Sequence, residues 1–228
     1  MRFTASNLFL LLMLSLGMSH GQRSTPSSPR INFSDPNGII HQLAPDDWPS
    51  AQFAIDPLDR AMVIRLLSEA KRVETGWHKQ LAIYFLICLD QNYSENIRDL
   101  LRFWRSGVGD EDTMGLIILV YKHGHQELLE PILKAGQHSD GALSEELGDF
   151  YGDELTSHTR VFVSALSGFS PKDQDSICWL AGGADGGGMG AEAEARAVHN
   201  LMALKSAVSS RCARNVRKGN ADAEASNQ

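Results

Sequence analysis

The chain has 228 residues, of which 43% are hydrophobic and 21% are charged. This is the composition of a folded globular protein, long enough for one large domain or two small ones. The formal net charge is −7, whereas nucleic-acid-binding domains are usually basic or carry a basic stripe. We therefore expect no nucleic-acid partner.

The first 21 residues carry the pattern of a secretory signal peptide. Arg2 supplies a positive charge, residues 8–16 form an apolar run, and the small residues Ser19 and Gly21 follow. An apolar run of this length is typical of a signal peptide. An N-terminal membrane anchor is the alternative, but a spanning helix needs about 20 apolar residues. We therefore expect an exported chain, periplasmic or extracellular, with no membrane span.

Residues 22–55 are predicted to form a flexible leader rich in proline and serine. Several prolines interrupt this segment, and no apolar period runs through it. The alternative is that part of it packs along the following domain, which Phe33 and Trp48 would allow.

Residues 56–214 are predicted to form an α-helical domain, so the fold class is all-α. Asp56 precedes Pro57, as an N-cap precedes a proline at the first helical position. Residues 81–89 are almost all apolar, which predicts a buried central helix. The apolar run 116–121 could form a strand, but its neighbours have helical spacing and no turn pairs it with a second strand. We predict a helix there as well.

The last part of the chain continues the helical pattern. Ser170 and Pro171 repeat the combination of cap and proline. Apolar residues at helical spacing predict one long final helix from Ala191 to about Arg214. The polar residues 215–228 are predicted to form a disordered C-terminal tail.

Predicted helix starts recur about every 14–20 residues, so helix pairs recur about every 30–37 residues, a spacing that suggests stacked helical hairpins. Residues 56–182 also have Pro131 inside a short helix and glycine turns at Gly107, Gly124 and Gly136. In these features the segment resembles the HEAT and armadillo class of α-helical repeat proteins. The resemblance implies architecture alone, namely antiparallel hairpins stacked into a right-handed superhelix. The alternative is an irregular helical bundle.

Three cysteines leave at least one thiol free. Cys88 lies in an apolar run and is predicted to behave as a small buried hydrophobe. Cys178 and Cys212 lie on two late helices and could form a disulfide, which an oxidising compartment would preserve. The sequence alone leaves that pairing open.

His123 and His125 are the first candidates for chemistry, with Glu127 just after them and His138 one helix further on. Imidazole and carboxylate groups are good zinc ligands. However, the histidine pair spans a predicted helix break, so exposed histidines in a turn are the simpler interpretation. We predict no metal site and no cofactor.

Two other patterns contain residue types that can serve catalysis or phosphate binding. The glycine-rich loop 182–190 precedes a helix, as phosphate-binding loops do, but it lacks the lysine and hydroxyl residue of a P-loop. We interpret it as a joint. Glu145 and Asp149 share a helix face in an acidic stretch that ends at Glu154, and paired carboxylates can transfer protons. A solvated surface is the commoner explanation, so we predict no catalytic residue.

A basic helix face is the candidate binding site. Arg98, Arg102 and Arg105 recur at helical spacing, and Trp104 lies beside them. Arginine and tryptophan are enriched where interfaces bind most tightly. The alternative is a set of ordinary solvated charges with Trp104 in the core.

The sequence favours a non-enzymatic function. It contains no serine-hydrolase elbow, zinc-protease motif, C-x-x-C pair or EF-hand loop. We expect an exported helical-repeat protein that acts as a scaffold for a protein or peptide partner. The alternative is an enzyme or metal-dependent protein whose site combines His123, His125 and His138 with acidic residues from Glu145 to Asp153.

Overall fold

The computed structural model describes residues 36–49, 55–105, 111–137, 139, 141–183 and 188–226. Within these ranges the chain forms eleven α-helices, one short 3-10 helix and no strand, so the all-α prediction is confirmed. None of these helices has both the length and the apolar composition needed to cross a bilayer. The predicted signal peptide lies outside the described residues. The helices are α1 (Pro36–Leu43), α2 (Arg60–Val73), α3 (Gly76–Cys88), α4 (Tyr93–Arg105), α5 (Glu111–Lys122), the 3-10 helix Gln126–Leu128, α6 (Leu129–Ala135), α7 (Gly141–Ser157), α8 (Thr159–Leu166), α9 (Pro171–Gly182), α10 (Ala191–Ala203) and α11 (Ala207–Ser226).

Helix α1 lies inside the segment that the sequence predicted to be a flexible leader. Ile39 and Ile40 are completely buried, and α1 packs against α2 and α3. Trp48 follows in a turn and stacks on Trp77 of α3 with 5.6 Å between ring centroids. The structure therefore differs from the prediction over α1. An eight-residue helix is too short to show a clear apolar period among prolines.

Helix α3 is the central helix of the N-terminal half. Every residue from Gln80 to Ile87 is buried, as the apolar run predicted, and α3 contacts α1, α2, α4 and α5. Helix α2 begins at Arg60 and not at Pro57. A turn precedes it, in which the Asp56 carboxylate accepts a hydrogen bond from the backbone N–H of Leu58 at 2.9 Å.

Helix α5 links the two halves, because it packs against α3 and α4 on one side and α7 on the other. The apolar run 116–121 lies within α5, so the helix prediction is confirmed. In the C-terminal half, α7 contacts α8, α9 and α10, and α9 packs closely against α11. The cap at Ser170 forms as predicted, since its hydroxyl accepts the N–H of Asp173 at 3.3 Å.

The predicted long final helix is divided in two. Lys205 has a left-handed backbone (φ 52°), which interrupts the helical hydrogen bonds after α10. The Ser206 hydroxyl then accepts the N–H of Ser209 at 3.0 Å and caps α11. Helix α11 runs on to Ser226 and so occupies most of the predicted disordered tail. The tail residues buried there include Gly219 and Asn220, which give no apolar signal in the sequence.

Candidate functional site

A groove with a volume of about 660 Å³ opens between α2, α3 and α4, and we refer to it as the α2–α4 groove. Residues three and four apart on a helix share a face, so the amphipathic helices α2 and α4 each present one polar face to it. Its lining residues are Ser68, Lys71 and Arg72 of α2, Lys79 and Leu86 of α3, and Asn92, Glu95, Asn96, Asp99, Arg102 and Phe103 in or just before α4.

Lys71 ties the α2 wall of the groove to the α4 wall. Its Nζ lies 2.9 Å from Glu95 Oε1 and 2.8 Å from Asp99 Oδ2, and it donates a hydrogen bond to Asn96 Oδ1 at 2.7 Å. Burial lowers the pKa of Lys71, but the hydrogen bonds and charges of Asp99 and Glu95 outweigh burial, and the pKa is raised. Lys71 is therefore a charged structural link between the two walls.

Asn96 has both ends of its amide occupied. The side chain is buried, its oxygen accepts from Lys71, and its Nδ2 donates to the carbonyl of Gln91 at 2.6 Å. A buried amide without partners would be costly, so this pairing fixes the position of α4 relative to α2.

The groove keeps a surplus of positive charge. Four cationic and two anionic side chains line it, and Lys71 alone bridges both carboxylates. Arg102 contacts Asp99 at 3.0 Å but remains largely exposed, and Arg72 is 3.8 Å from Glu69. Lys79 forms no ion pair within the part of the chain that the structure describes. The surplus of two positive charges stands out on a chain whose net charge is −7.

The structure separates the four residues of the predicted basic face. Arg102 lines the α2–α4 groove. Arg98 and Arg105 are exposed on α4 outside the lining residues, and Trp104 is partly buried. All three arginines lie in α4, where their i, i+4, i+7 spacing puts them along one side of the helix. The spacing could not show which of them faces α2.

The two histidines of the predicted pair contact different tyrosines. His123 Nε2 lies 3.2 Å from the hydroxyl of Tyr84. His125 stacks on Tyr93 with ring centroids 4.3 Å apart, and its Nδ1 is 3.7 Å from Glu127 Oε1. These residues do not bring three metal-ligand atoms together. His138, the remaining member of the predicted set, lies outside the described residues.

The residues of the acidic stretch differ in burial, and the middle of the glycine loop is not described. Glu145 and Asp149 are exposed on α7. Glu154 is buried instead, where it accepts a hydrogen bond from the Tyr121 hydroxyl at 2.7 Å. The central glycine-loop residues 184–187 lie outside the described part of the chain.

Cys178 of α9 and Cys212 of α11 form a disulfide, with Cα atoms 5.2 Å apart. The sequence had left this pairing open. Cys88 is free and half-buried.

Sequence reasoning missed one cluster with metal-binding chemistry. His41, Asp47 and His78 bring three ligand atoms within 4.8 Å of one another, the only such group in the described residues. Two of them come from the segment predicted to be a flexible leader. No spacing rule joins that segment to the first turn of α3, so the sequence alone gave no signal.

Comparison with known proteins adds no family, because no protein-family model, curated protein or solved structure matches this chain.

Proposed function

We propose that this chain is an exported, non-enzymatic scaffold whose α2–α4 groove binds an acidic peptide segment of a partner protein. The observation that carries the proposal is the surplus of positive charge in a groove of about 660 Å³ on an acidic chain. Complementary charge selects partners and speeds their association. Leu86 and Phe103 add apolar surface, as peptide-binding grooves require.

Lys71 binds the carboxylates of the groove itself, which leaves other cationic side chains available for a carboxylate of the ligand. Glu95 and Asp99 are both bound to Lys71, so most of the negative charge of the groove is already satisfied. Lys79 and Arg102 present ammonium and guanidinium groups from two facing helices. An incoming carboxylate can form charge-assisted hydrogen bonds with them, and arginine can bind it through two parallel bonds.

Export and a helical-repeat architecture are parts of the same proposal. The apolar run and small residues at the N-terminus support export. The disulfide Cys178–Cys212 also supports it, because disulfides persist in oxidising compartments. The consecutive packing of α2, α3, α4 and α5 is compatible with stacked hairpins, whose extended surfaces suit peptide ligands.

The test is a fluorescence-anisotropy titration with peptides rich in Asp and Glu, beside the same peptides with Asn and Gln in their place. We expect the acidic set to bind and the neutral set to bind at least about 10-fold more weakly. Arg102→Glu and Lys79→Glu should each weaken binding by about 10-fold or more. Arg98→Glu and Arg105→Glu are matched controls, since they make the same charge change on α4 outside the groove.

Equal losses in the groove and control variants would show that diffuse attraction, and not the groove, holds the peptide. Equal binding of the acidic and neutral peptides would overturn the charge-based proposal. Binding at the groove should also weaken as salt is raised, since the lining charges are partly exposed.

A further inference from the structure

A second site shares no residue with the lining of the α2–α4 groove, although His78 directly precedes the groove residue Lys79. His41 is in the last turn of α1, Asp47 is in the turn that follows, and His78 is in the first turn of α3. We propose that these three side chains bind a Zn²⁺ ion. The site is independent of the proposed peptide binding.

The ligand atoms lie within 4.8 Å of one another, somewhat farther apart than a shared ion needs. His41 Nδ1 is 3.9 Å and His78 Nε2 is 3.8 Å from the same oxygen, Asp47 Oδ1. These distances are too long for hydrogen bonds. Two ligands of a tetrahedral zinc ion, each about 2.0 Å from the metal, lie about 3.3 Å apart. Each imidazole therefore needs to approach the carboxylate by only about 0.5 Å.

The backbone holds Asp47 in place although its side chain is exposed. Asp47 has a left-handed backbone (φ 57°), which is uncommon outside glycine, asparagine and aspartate. Its N–H donates to the carbonyl of Ala44 at 3.1 Å, and its carbonyl accepts from Trp77 Nε1 at 2.7 Å. The adjacent Trp48 stacks on Trp77. The turn that carries Asp47 is thus fixed to the start of α3, the element that carries His78.

A carboxylate outside the ligand set faces the other nitrogen of His78. Glu74 Oε2 is 4.0 Å from His78 Nδ1, so His78 presents Nε2 to the site and Nδ1 to Glu74. Metal-binding histidines generally have a carboxylate or carbonyl at the second nitrogen, which orients the ring and increases its basicity. At 4.0 Å the two groups are not hydrogen-bonded, so Glu74 becomes a positioning residue only when it and His78 close this gap on zinc binding.

The ligand chemistry selects zinc over calcium or magnesium. Two imidazoles and one carboxylate match the nitrogen and oxygen ligands that zinc prefers, whereas calcium and magnesium need six or more oxygens. Three protein ligands leave one tetrahedral position for water. The His41 and Asp47 side chains are 55% and 65% exposed, so that position faces solvent.

The experiment is isothermal titration of the untagged, metal-free chain with ZnCl₂, with Co²⁺ absorption spectra as a report on coordination geometry. We expect one zinc ion per chain and a tetrahedral Co²⁺ spectrum. His41→Ala, His78→Ala and Asp47→Asn should each weaken zinc binding by at least about 10-fold, and Glu74→Gln by about 10-fold. Asparagine is used at position 47 because it tolerates the left-handed backbone.

His199→Ala is the matched control, because it removes an exposed imidazole from α10 and should leave binding unchanged. Circular dichroism of each metal-free variant shows whether it is folded, and so separates a loss of zinc binding from a loss of folding. The Glu74→Gln variant keeps all three zinc ligands and changes only the residue beside His78. Absence of zinc binding in the wild-type chain would overturn the proposal. Wild-type zinc affinity in the His78→Ala variant, or equal losses in the His199→Ala control, would overturn it too.

Discussion

Cys88 lies at the C-terminal end of α3, directly after the buried residues Gln80 to Ile87. Burial raises the pKa of the thiol to about 11, against a lowering effect of the hydrogen bond with Tyr84, while Asp90 raises it further. The thiolate is the nucleophilic form of cysteine, so a raised pKa keeps Cys88 unreactive at neutral pH. The sequence predicts a small buried hydrophobe at this position, whereas the side chain is half-buried in the structure.

The pH dependence of alkylation tests this pKa. An ordinary thiol with a pKa of about 8.5 is about three-quarters thiolate at pH 9 and nearly all thiolate at pH 10, so its reaction rate rises only about 1.3-fold between these pH values. A thiol with a pKa of about 11 still gains thiolate about tenfold between pH 9 and pH 10. We expect iodoacetamide to alkylate folded Cys88 about tenfold faster at pH 10 than at pH 9.

The control is the same measurement in denaturant, where the rate should level off because burial is lost. Cys178 and Cys212 do not contribute while they remain oxidised. Circular dichroism at both pH values must show a folded chain. A rate that levels off above pH 9 in the folded chain would contradict the raised pKa.

Single residues differ in how far the sequence predicts them. Apolar spacing correctly predicted the core side chains of α3, of which Leu81 and Phe85 are completely buried. It gave no sign that Thr113 donates a hydrogen bond to Gln80 at 2.7 Å inside the core, since the two residues are 33 positions apart. Buried polar residues become predictable only once their partners are known.

At the scale of elements, the crossing of α9 and α11 depends on two glycines. A Cβ atom on Gly182 would lie 2.0 Å from the carbonyl oxygen of Val216, and one on Gly219 would lie 2.0 Å from that of Trp179. Each contact is with backbone, which cannot rotate away. The two helices therefore approach more closely than any side chain allows at these positions.

We expect Gly219→Ala to destabilise the fold by up to about 2 kcal/mol. Alanine favours a helix over glycine by about 1 kcal/mol, but overpacking against backbone costs about 1–3 kcal/mol and at this distance should exceed that gain. Urea denaturation measures the difference. Gly183→Ala is the matched control, because its Cβ would meet the nearest atom at an ordinary 3.5 Å. A Gly219→Ala variant as stable as wild type would mean that α11 does not lie this close to α9.

Sequence reasoning missed α1 and the C-terminal end of α11 for the same physical reason. Helix α1 has eight residues and depends on tertiary burial of Ile39 and Ile40. The C-terminal end of α11 packs through small and polar residues against α9. Local propensity is weak evidence for such segments, because packing and not sequence pattern stabilises them. Long amphipathic helices such as α2 and α4 were predictable because their apolar faces are continuous.

At the scale of the whole molecule, both candidate sites combine residues from separate helices. Sequence spacing found Arg102 but not its neighbour Lys79 across the groove. It found His123 and His125, which point to different tyrosines, but not the cluster of His41, Asp47 and His78. Spacing rules describe one element at a time, so a site formed between elements depends on packing that the sequence does not state.

The disulfide is a covalent link within one compact unit, to which all the described helices belong. It joins α9 to α11 across a sequence separation of 34 residues. A cross-link of this span restricts the unfolded chain and typically stabilises a fold by about 2–4 kcal/mol. Helix α9 packs on α7, and α7 packs on α5. Because these contacts connect the two halves, breaking the disulfide should also destabilise the N-terminal half.

We expect reduction to lower the free energy of unfolding of the whole unit by about 2–4 kcal/mol. Urea denaturation with and without reductant measures it, and the Cys178→Ala, Cys212→Ala double variant should match the reduced wild type. The Trp179→Phe variant removes the tryptophan of α9, so its fluorescence reports on Trp48, Trp77 and Trp104 alone. Because cooperative unfolding shifts every probe together, that fluorescence should shift on reduction as far as circular dichroism does. A fluorescence midpoint that stays fixed would mean that the helices around α3 unfold independently of α9 and α11.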